Sequence, residues 1–341
     1  MKCVTFGEIM MRLNPEGFYR LVQAGRLEVS YSGAEANVAV SLATLGIGAA
    51  YVTKLPANDL GRSAVNELRR HGVDTGRIVT GGKRIGVYYV ERGASQRPSK
   101  VIYDRAGSSI ATAAAEDFDW DDILKDTDWF HFTGITPSLG EELPGICLAA
   151  CKAAKEHGSM VSCDLNYRKN LWSRERAGEV MATLMPYVDV CIANEEDAAD
   201  VFGISAPDTD VETGRLAREG YEKVARQLVD RFGFRKVAIT LRGSISASEN
   251  EWGGMIYDTG DDKACFSPTY HIWIVDRVGG GDSFAAGMIY GLMNGYSDQE
   301  TVNFAAAASC IKHTIEHDFN LTTVEEIARL AAGNVSGRVQ R

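Results

Sequence analysis

Residues 128–194 contain DWFHFTGI (128–135), SMVSCDLN (159–166) and VDVCIAN (188–194), separated by helical stretches around 142–157 and 175–185. Short apolar runs alternating with longer amphipathic segments are the pattern of strands alternating with helices. The rhythm continues through a helix over 215–232 and the run RKVAITL (235–241). Parallel strands need crossover connections, so this alternation predicts a mostly parallel sheet covered by helices on both faces.

Upstream, KCVTFGEIMMRL (2–13) reads as a first strand closed by the turn cluster Asn14-Pro15-Glu16-Gly17. YSGAEANVAVSLATLG (31–46) reads as a helix that opens after Ser32-Gly33 and stops at Gly46, followed by a strand at about 49–54. GVYYVERG (86–93) and KVIYDRAG (100–107) are β-branched and aromatic runs that predict a hairpin outside the main sheet. A β-rich stretch over 252–275 precedes three helices at 281–294, 298–313 and 323–332. The expectation is one domain over residues 1–335, a three-layer α/β/α sandwich. A small β-sheet lid drawn from about 12–32 and 83–107 would cover the carboxyl ends of the strands.

Of the 341 residues 45% are hydrophobic and 24% charged, which excludes disordered and fibrous chains. Lys and Arg total 36 against 46 Asp and Glu, a net charge of −10 that repels nucleic acid and anionic membranes. An anionic substrate would need locally placed cations. No apolar run approaches the ~18 residues of a membrane span, and the start lacks a signal-peptide core, so a cytoplasmic location is expected. Seven scattered cysteines without a Cys-x-x-Cys pattern read as reduced, buried thiols.

The chemistry concentrates in IVDRVGGGDSFAAGMIYGLM (274–293). Gly279, Gly280 and Gly281 ahead of a helix let backbone N–H groups converge on an anion at the helix's positive end, a phosphate cradle. Asp282 within that turn reads either as a base toward an attacking hydroxyl or as an ordinary helix cap. With a carboxylate's ordinary pKa of ~4 it would be ionised at neutral pH. Other nucleotide loops are absent: Gly82-Lys83 fails the P-loop spacing, no G-x-G-x-x-G opens a helix after the first strand, and no G-x-S-x-G occurs. His313-Thr-Ile-Glu316-His317 matches the zinc-peptidase pattern H-x-x-E-H, but the sequence supplies no obvious third ligand.

DRVGGGDSFAAG (276–287) resembles the carboxyl-terminal signature of the ribokinase-like (PfkB) carbohydrate kinases. SGAEANVAVSLATLG (32–46) resembles that family's first signature, ANEEDA (193–198) its Asn-Glu motif and TLRGS (240–244) its nucleotide loop, in family order. GASQRPSKVIYDRAGSSI (93–110), DLNYRKNLW (164–172) and LRGSISASEN (241–250) are similar to the family's 2-keto-3-deoxygluconate kinases. The chain departs from the family at Arg277, where Thr is usual, at Gly280, where Ala is usual, and at Asp197, where Glu is usual.

The resemblance implies ATP- and Mg²⁺-dependent phosphorylation of 2-keto-3-deoxygluconate at its C6 hydroxyl, with room for K⁺, in a homo-oligomer. It implies Asp282 as base and Gly279, Gly280 and Gly281 as the anion hole. Gly33, Asn37, Tyr88, Tyr103, Arg105 and Arg168 would contact the sugar acid. Asn166, Arg168, Asn194, Thr240, Arg242 and Gly243 would border the nucleotide, with Asn303 and Ala306 flanking adenine. Asn194 and Glu195 would position the metal through water. For the arginines there is an independent physical case, since a planar guanidinium binds a carboxylate bidentately. The alternatives are surface ion pairs for Arg105 and Arg168, and a plain helix cap for Asn194. For the whole chain they are another sugar kinase (ketodeoxygalactonate kinase, fructokinase or ribokinase) or a non-catalytic sugar-acid sensor.

Overall fold

A computed structural model describes residues 1–194, 196–205 and 218–334. The elements run β1 (Lys2–Phe6), β2 (Met10–Asn14), β3 (Glu28–Ser32), α1 (Ala34–Thr44), β4 (Gly48–Val52), β5 (Lys54–Leu55), α2 (Asp59–Arg70), β6 (Val79–Thr80), β7 (Gly86–Glu91), β8 (Lys100–Asp104), α3 (Trp120–Leu124) and β9 (Trp129–Thr133). They continue with α4 (Leu143–Glu156), β10 (Met160–Asp164), α5 (Arg174–Leu184), β11 (Val190–Ala193), α6 (Asp197–Phe202), α7 (Arg218–Phe232), β12 (Lys236–Ser244), β13 (Glu249–Asp258), β14 (Lys263–Phe266), β15 (Tyr270–Trp273), α8 (Gly280–Met293), α9 (Asp298–Lys312) and α10 (Val324–Ala331).

The large sheet has the order β14-β13-β12-β11-β10-β9-β1-β4, with β15 also paired to β13. Strands β12 through β4 along that order are parallel, and the β13 edge is antiparallel. Period-two alternation divides the core into two layers. Val4 and Phe6 of β1, Cys191 and Ala193 of β11, and Val237 and Ile239 of β12 pack with residues of α3 to α7. Their neighbours Cys3, Val190, Ile192 and Ala238 face the opposite layer, with residues of α1, α2, α8, α9 and α10. This is the expected three-layer sandwich.

A separate four-stranded sheet, β3-β2-β7-β8, uses the two predicted excursions. The first apolar run is not one strand: it divides at Gly7 into β1 of the large sheet and β2 of the small one. A Cβ at Gly7 would collide with the buried Glu35 carboxylate at 2.1 Å, so the chain turns there on glycine. The small sheet is fastened to the large unit by Arg12 of β2. Its guanidinium pairs with Asp276 at 2.5 Å and with Asp318, all three side chains being buried.

Helix α2 is not announced by the sequence pattern, because its apolar face is thin and five of its twelve residues are charged. Asn58 caps it, accepting from the Leu60 and Gly61 amides at 3.1 Å. Asn58→Ala is expected to lower the unfolding free energy by about 1 kcal/mol, read as a lower denaturant midpoint with unchanged slope. Helices α8 and α9 approach closely because Gly287 faces Ala305; a Cβ there would lie 2.6 Å from the Ala305 Cα. All seven cysteines are unpaired and buried. Desolvation pushes the thiols of Cys3, Cys147, Cys151, Cys163, Cys191 and Cys310 upward. Among the described residues no helix is long and apolar enough to cross a membrane.

Candidate active site

The carboxyl ends of the parallel strands open into a cleft of about 280 Å³. The end of β10 supplies Asp164, the segments after β1, β10 and β11 supply Glu8, Asn166, Asn194 and Asp197, and β12 supplies Thr240 and Arg242. The small sheet and the residue just past β8 contribute Tyr88, Tyr103 and Arg105. Gly33 and Asn37 come from the start of α1, and Gly279, Gly280, Gly281 and Asp282 from the start of α8. A second hollow of about 870 Å³ meets the cleft at Tyr103, Arg105 and Arg168.

Gly279 adopts φ +83°, the left-handed region that only glycine enters without strain. A Cβ there would lie 2.1 Å from the Asp318 carbonyl oxygen, and one on Gly280 would lie 2.4 Å from the His313 ring. The amides of Gly279, Gly281 and Asp282 meet no acceptor among the described residues. Three unspent donors at the amino end of a 14-residue helix leave that end able to receive an anion. The glycine at 280 leaves space for His313, whose ring lies tilted against Trp252 with centroids 4.7 Å apart.

Asp282 is half-buried in the same turn, and Asn37 Nδ2 donates to its Oδ2 at 2.6 Å. Burial pushes its carboxyl up to about 7; the Asn37 hydrogen bond and Arg168 pull it down, and Asp318 and Glu35 push it up. This corrects the expectation of an ordinary carboxylate. A group that titrates near neutrality is matched to accepting and releasing a proton.

Asp164 is also pushed well up, by burial first and then by Asp197 and Asp282. Its Oδ1 accepts the Asn166 amide at 3.1 Å, holding Asn166 at φ +39°. Asn194 Oδ1 accepts the Glu196 and Asp197 amides, and Asp197 in return accepts from Asn194 and Tyr167. Asn194 therefore fastens the turn that leads into α6 and also lines the cleft. Glu195 lies outside the described residues. Among the described residues no three His, Cys, Asp or Glu side chains form a metal cage. A divalent ion beside Asp164 and Asn194 would thus be held largely by phosphate oxygens and water, as suits Mg²⁺.

The two sugar-acid arginines differ. Arg105 is taken by the buried Glu8, its Nε donating to Oε2 at 2.7 Å. Arg168 is exposed and donates to the Tyr167 carbonyl at 3.1 Å; among the described residues it has no other hydrogen-bond partner and no ion pair. Tyr88 is buried and donates to Asp318 at 2.8 Å, so it supports the cleft wall. Tyr103 stacks over it, ring centroids 5.9 Å apart.

Gly243 lies against Glu251, outside the cleft lining. Ala306 is fully buried in the α9 core and offers no surface to a base; Asn303 accepts from Gln299 at 2.9 Å. Neither reaches the cleft. Sequence reasoning missed Glu8, Asp318 and the cleft position of Arg277. Glu8 follows the end of β1, a readable signal, whereas nothing local marks Asp318. Arg277 donates to the Ala247 carbonyl at 3.1 Å, and burial followed by Arg242 lowers its pKa. The two halves of the zinc-like motif have separate partners, His313 at Ser309 and His317 at Glu28.

Unspent amides at a helix start, a raised carboxyl beside them and a cleft at the carboxyl edge of a parallel sheet form an arrangement suited to phosphoryl transfer in the three-layer α/β/α class. The chain belongs to the pfkB family of carbohydrate kinases, whose family model matches residues 1–316. That family uses ATP and a divalent metal. A 2-dehydro-3-deoxygalactonokinase of Haloferax volcanii is 35% identical over 334 residues, 98% of each chain. A 2-dehydro-3-deoxygluconokinase of Bacillus subtilis is 26% identical over 331 residues, covering 96% of this chain and 94% of the relative. The crystal structure of a 2-dehydro-3-deoxygluconokinase from Thermotoga maritima superposes with a TM-score of 0.94 at 54% identity, covering 98% of this chain and all of that one.

Proposed function

We propose that this kinase transfers the terminal phosphoryl group of ATP to the C6 hydroxyl of 2-keto-3-deoxygluconate, giving the 6-phosphate. The observation that carries the phosphoryl-transfer chemistry is the juxtaposition of the unspent Gly279, Gly281 and Asp282 amides with the Asp282 carboxylate, steadied by Asn37. The 54% identity to the Thermotoga kinase supports the acceptor.

Asp282 accepts the proton of the attacking hydroxyl, and the amides face the negative charge spread over the moving phosphoryl group. Arg242 and Arg277 border the nucleotide phosphates. Asp164 and Asn194 would hold a bound Mg²⁺ through water, and the ion would supply charge neutralisation for the phosphates. The small sheet acts as a lid that keeps water from the transfer.

Arg168 is the cation for the sugar acid's carboxylate, and Arg105, neutralised by Glu8, shapes the wall beside it. Arg168→Lys is expected to lower kcat/KM for the ketodeoxy acid by about 10–100-fold, the worth of a charged bidentate contact, with little effect on fructose or ribose. Equal losses on all three would remove the assignment. The Haloferax relative favours a second reading, the C4 epimer 2-keto-3-deoxygalactonate, as acceptor. A panel with ATP and both epimers, gluconate, fructose and ribose tests both. Preference for a neutral sugar overturns the sugar-acid reading.

A further inference from the structure

Lys312, the last residue of α9, is a lysine with no solvent exposure. Its Nζ donates to three backbone carbonyls: Asp276 at 3.2 Å, Ile315 at 3.4 Å and His317 at 2.5 Å. An ammonium has three N–H donors and no acceptor, so the three carbonyls match the charged form. A neutral amine would turn its lone pair on an oxygen. The nearest carboxylates, Asp276 and Asp318, are already held by Arg12. Burial draws the Lys312 ammonium downward in pKa and those two carboxylates push it back. A ring of backbone carbonyls around a dehydrated positive charge is the chemistry by which proteins hold K⁺ or NH₄⁺.

The carbonyls come from the two segments that shape the anion cradle. Asp276 begins the bend that runs into Gly279, and its Oδ1 accepts the Val278 amide at 3.1 Å. His317 precedes Asp318, whose carbonyl packs on Gly279. The same segments are stitched by the Val275 and Asp276 amides, which donate to the His313 carbonyl at 2.8 and 3.2 Å. Without Nζ, the Asp276 and His317 carbonyls would lose the donor that joins them.

We propose that the Lys312 ammonium is the built-in monovalent cation of this kinase, a positioning group that fixes the bend carrying Gly279 and Asp282 and makes the enzyme independent of added K⁺. The competing view is a lysine that merely caps the carboxyl end of α9 and packs the core. The proposal rests on the kinase reading for its turnover arms only.

The wild-type enzyme is expected to give equal turnover in K⁺, Na⁺ and tetramethylammonium salts at matched ionic strength. Activation by K⁺ of more than about threefold overturns the proposal, since a separate monovalent site would then exist. In tetramethylammonium, Lys312→Ala should lose about 10²-fold in kcat, the scale of a displaced catalytic geometry, with KM for the sugar acid within a few-fold. NH₄⁺ or K⁺ should restore at least about tenfold of it, where tetramethylammonium, too large for the cage, restores none. A folded variant with wild-type kcat, or a loss that no small cation repairs, overturns the proposal. The third arm needs no substrate: the melting temperature of Lys312→Ala should rise on replacing tetramethylammonium with NH₄⁺ or K⁺, while that of the wild type and of Lys312→Met does not. Its failure overturns the cation role and leaves the kinase reading untouched.

Discussion

Asp282→Asn is expected to lower kcat by about 10³-fold, within the range general-base catalysis supplies, while the Kd for the sugar acid stays within a few-fold. The amide keeps the shape of the carboxyl and cannot take the hydroxyl's proton. The pH profile gives an independent readout. Burial holds the Asp282 carboxyl up at about 7, so the free enzyme carries it largely protonated in mild acid. A base must be deprotonated, so wild-type kcat/KM should climb about tenfold per pH unit through the acidic range and level off above about 7. The variant should lose that limb. Near-normal turnover, or an unchanged acid limb in Asp282→Asn, would remove the residue from the proton transfer.

Gly279→Ala should be comparably severe for a different reason. The residue stands at φ +83°, and the added methyl would lie 2.1 Å from the Asp318 carbonyl, so the bend must move. Displacing the preorganised amides is expected to cost about 10²–10³-fold in kcat, and the melting temperature should fall as well. Gly281→Ala provides the contrast. Its methyl meets nothing within 4 Å, so stability should hold while ATP affinity drops, because that open space is the mouth of the cradle. Equal melting temperatures for wild type and Gly279→Ala would show that the bend is not built as described.

Most of the layer order was legible because parallel strands buried on both faces advertise themselves as continuous apolar runs, as in SMVSCDLN and VDVCIAN. The glycine bend and Asp282 were legible because their spacing is local. What the sequence could not display is long-range pairing. Arg105 reads either as a cation for the sugar acid or as half of an ion pair, and only the fold brings Glu8 onto it. Asp318 sits in a turn with no local mark, yet it holds Arg12, Tyr88 and Ser32 together. The resemblance places Ala306 beside adenine, but packing in the α9 core leaves it no exposed surface. The ordinary pKa expected of Asp282 failed for the same cause, since desolvation is a property of the assembled cleft.

Every sulfhydryl of the chain is enclosed. The folded protein therefore presents no thiol to peroxide, heavy metals or alkylating agents, and such reagents reach the cysteines only when the molecule opens. Its redox durability is thus borrowed from its folding equilibrium, so that a substitution loosening either layer would make it sensitive to air before it altered the chemistry of the cleft.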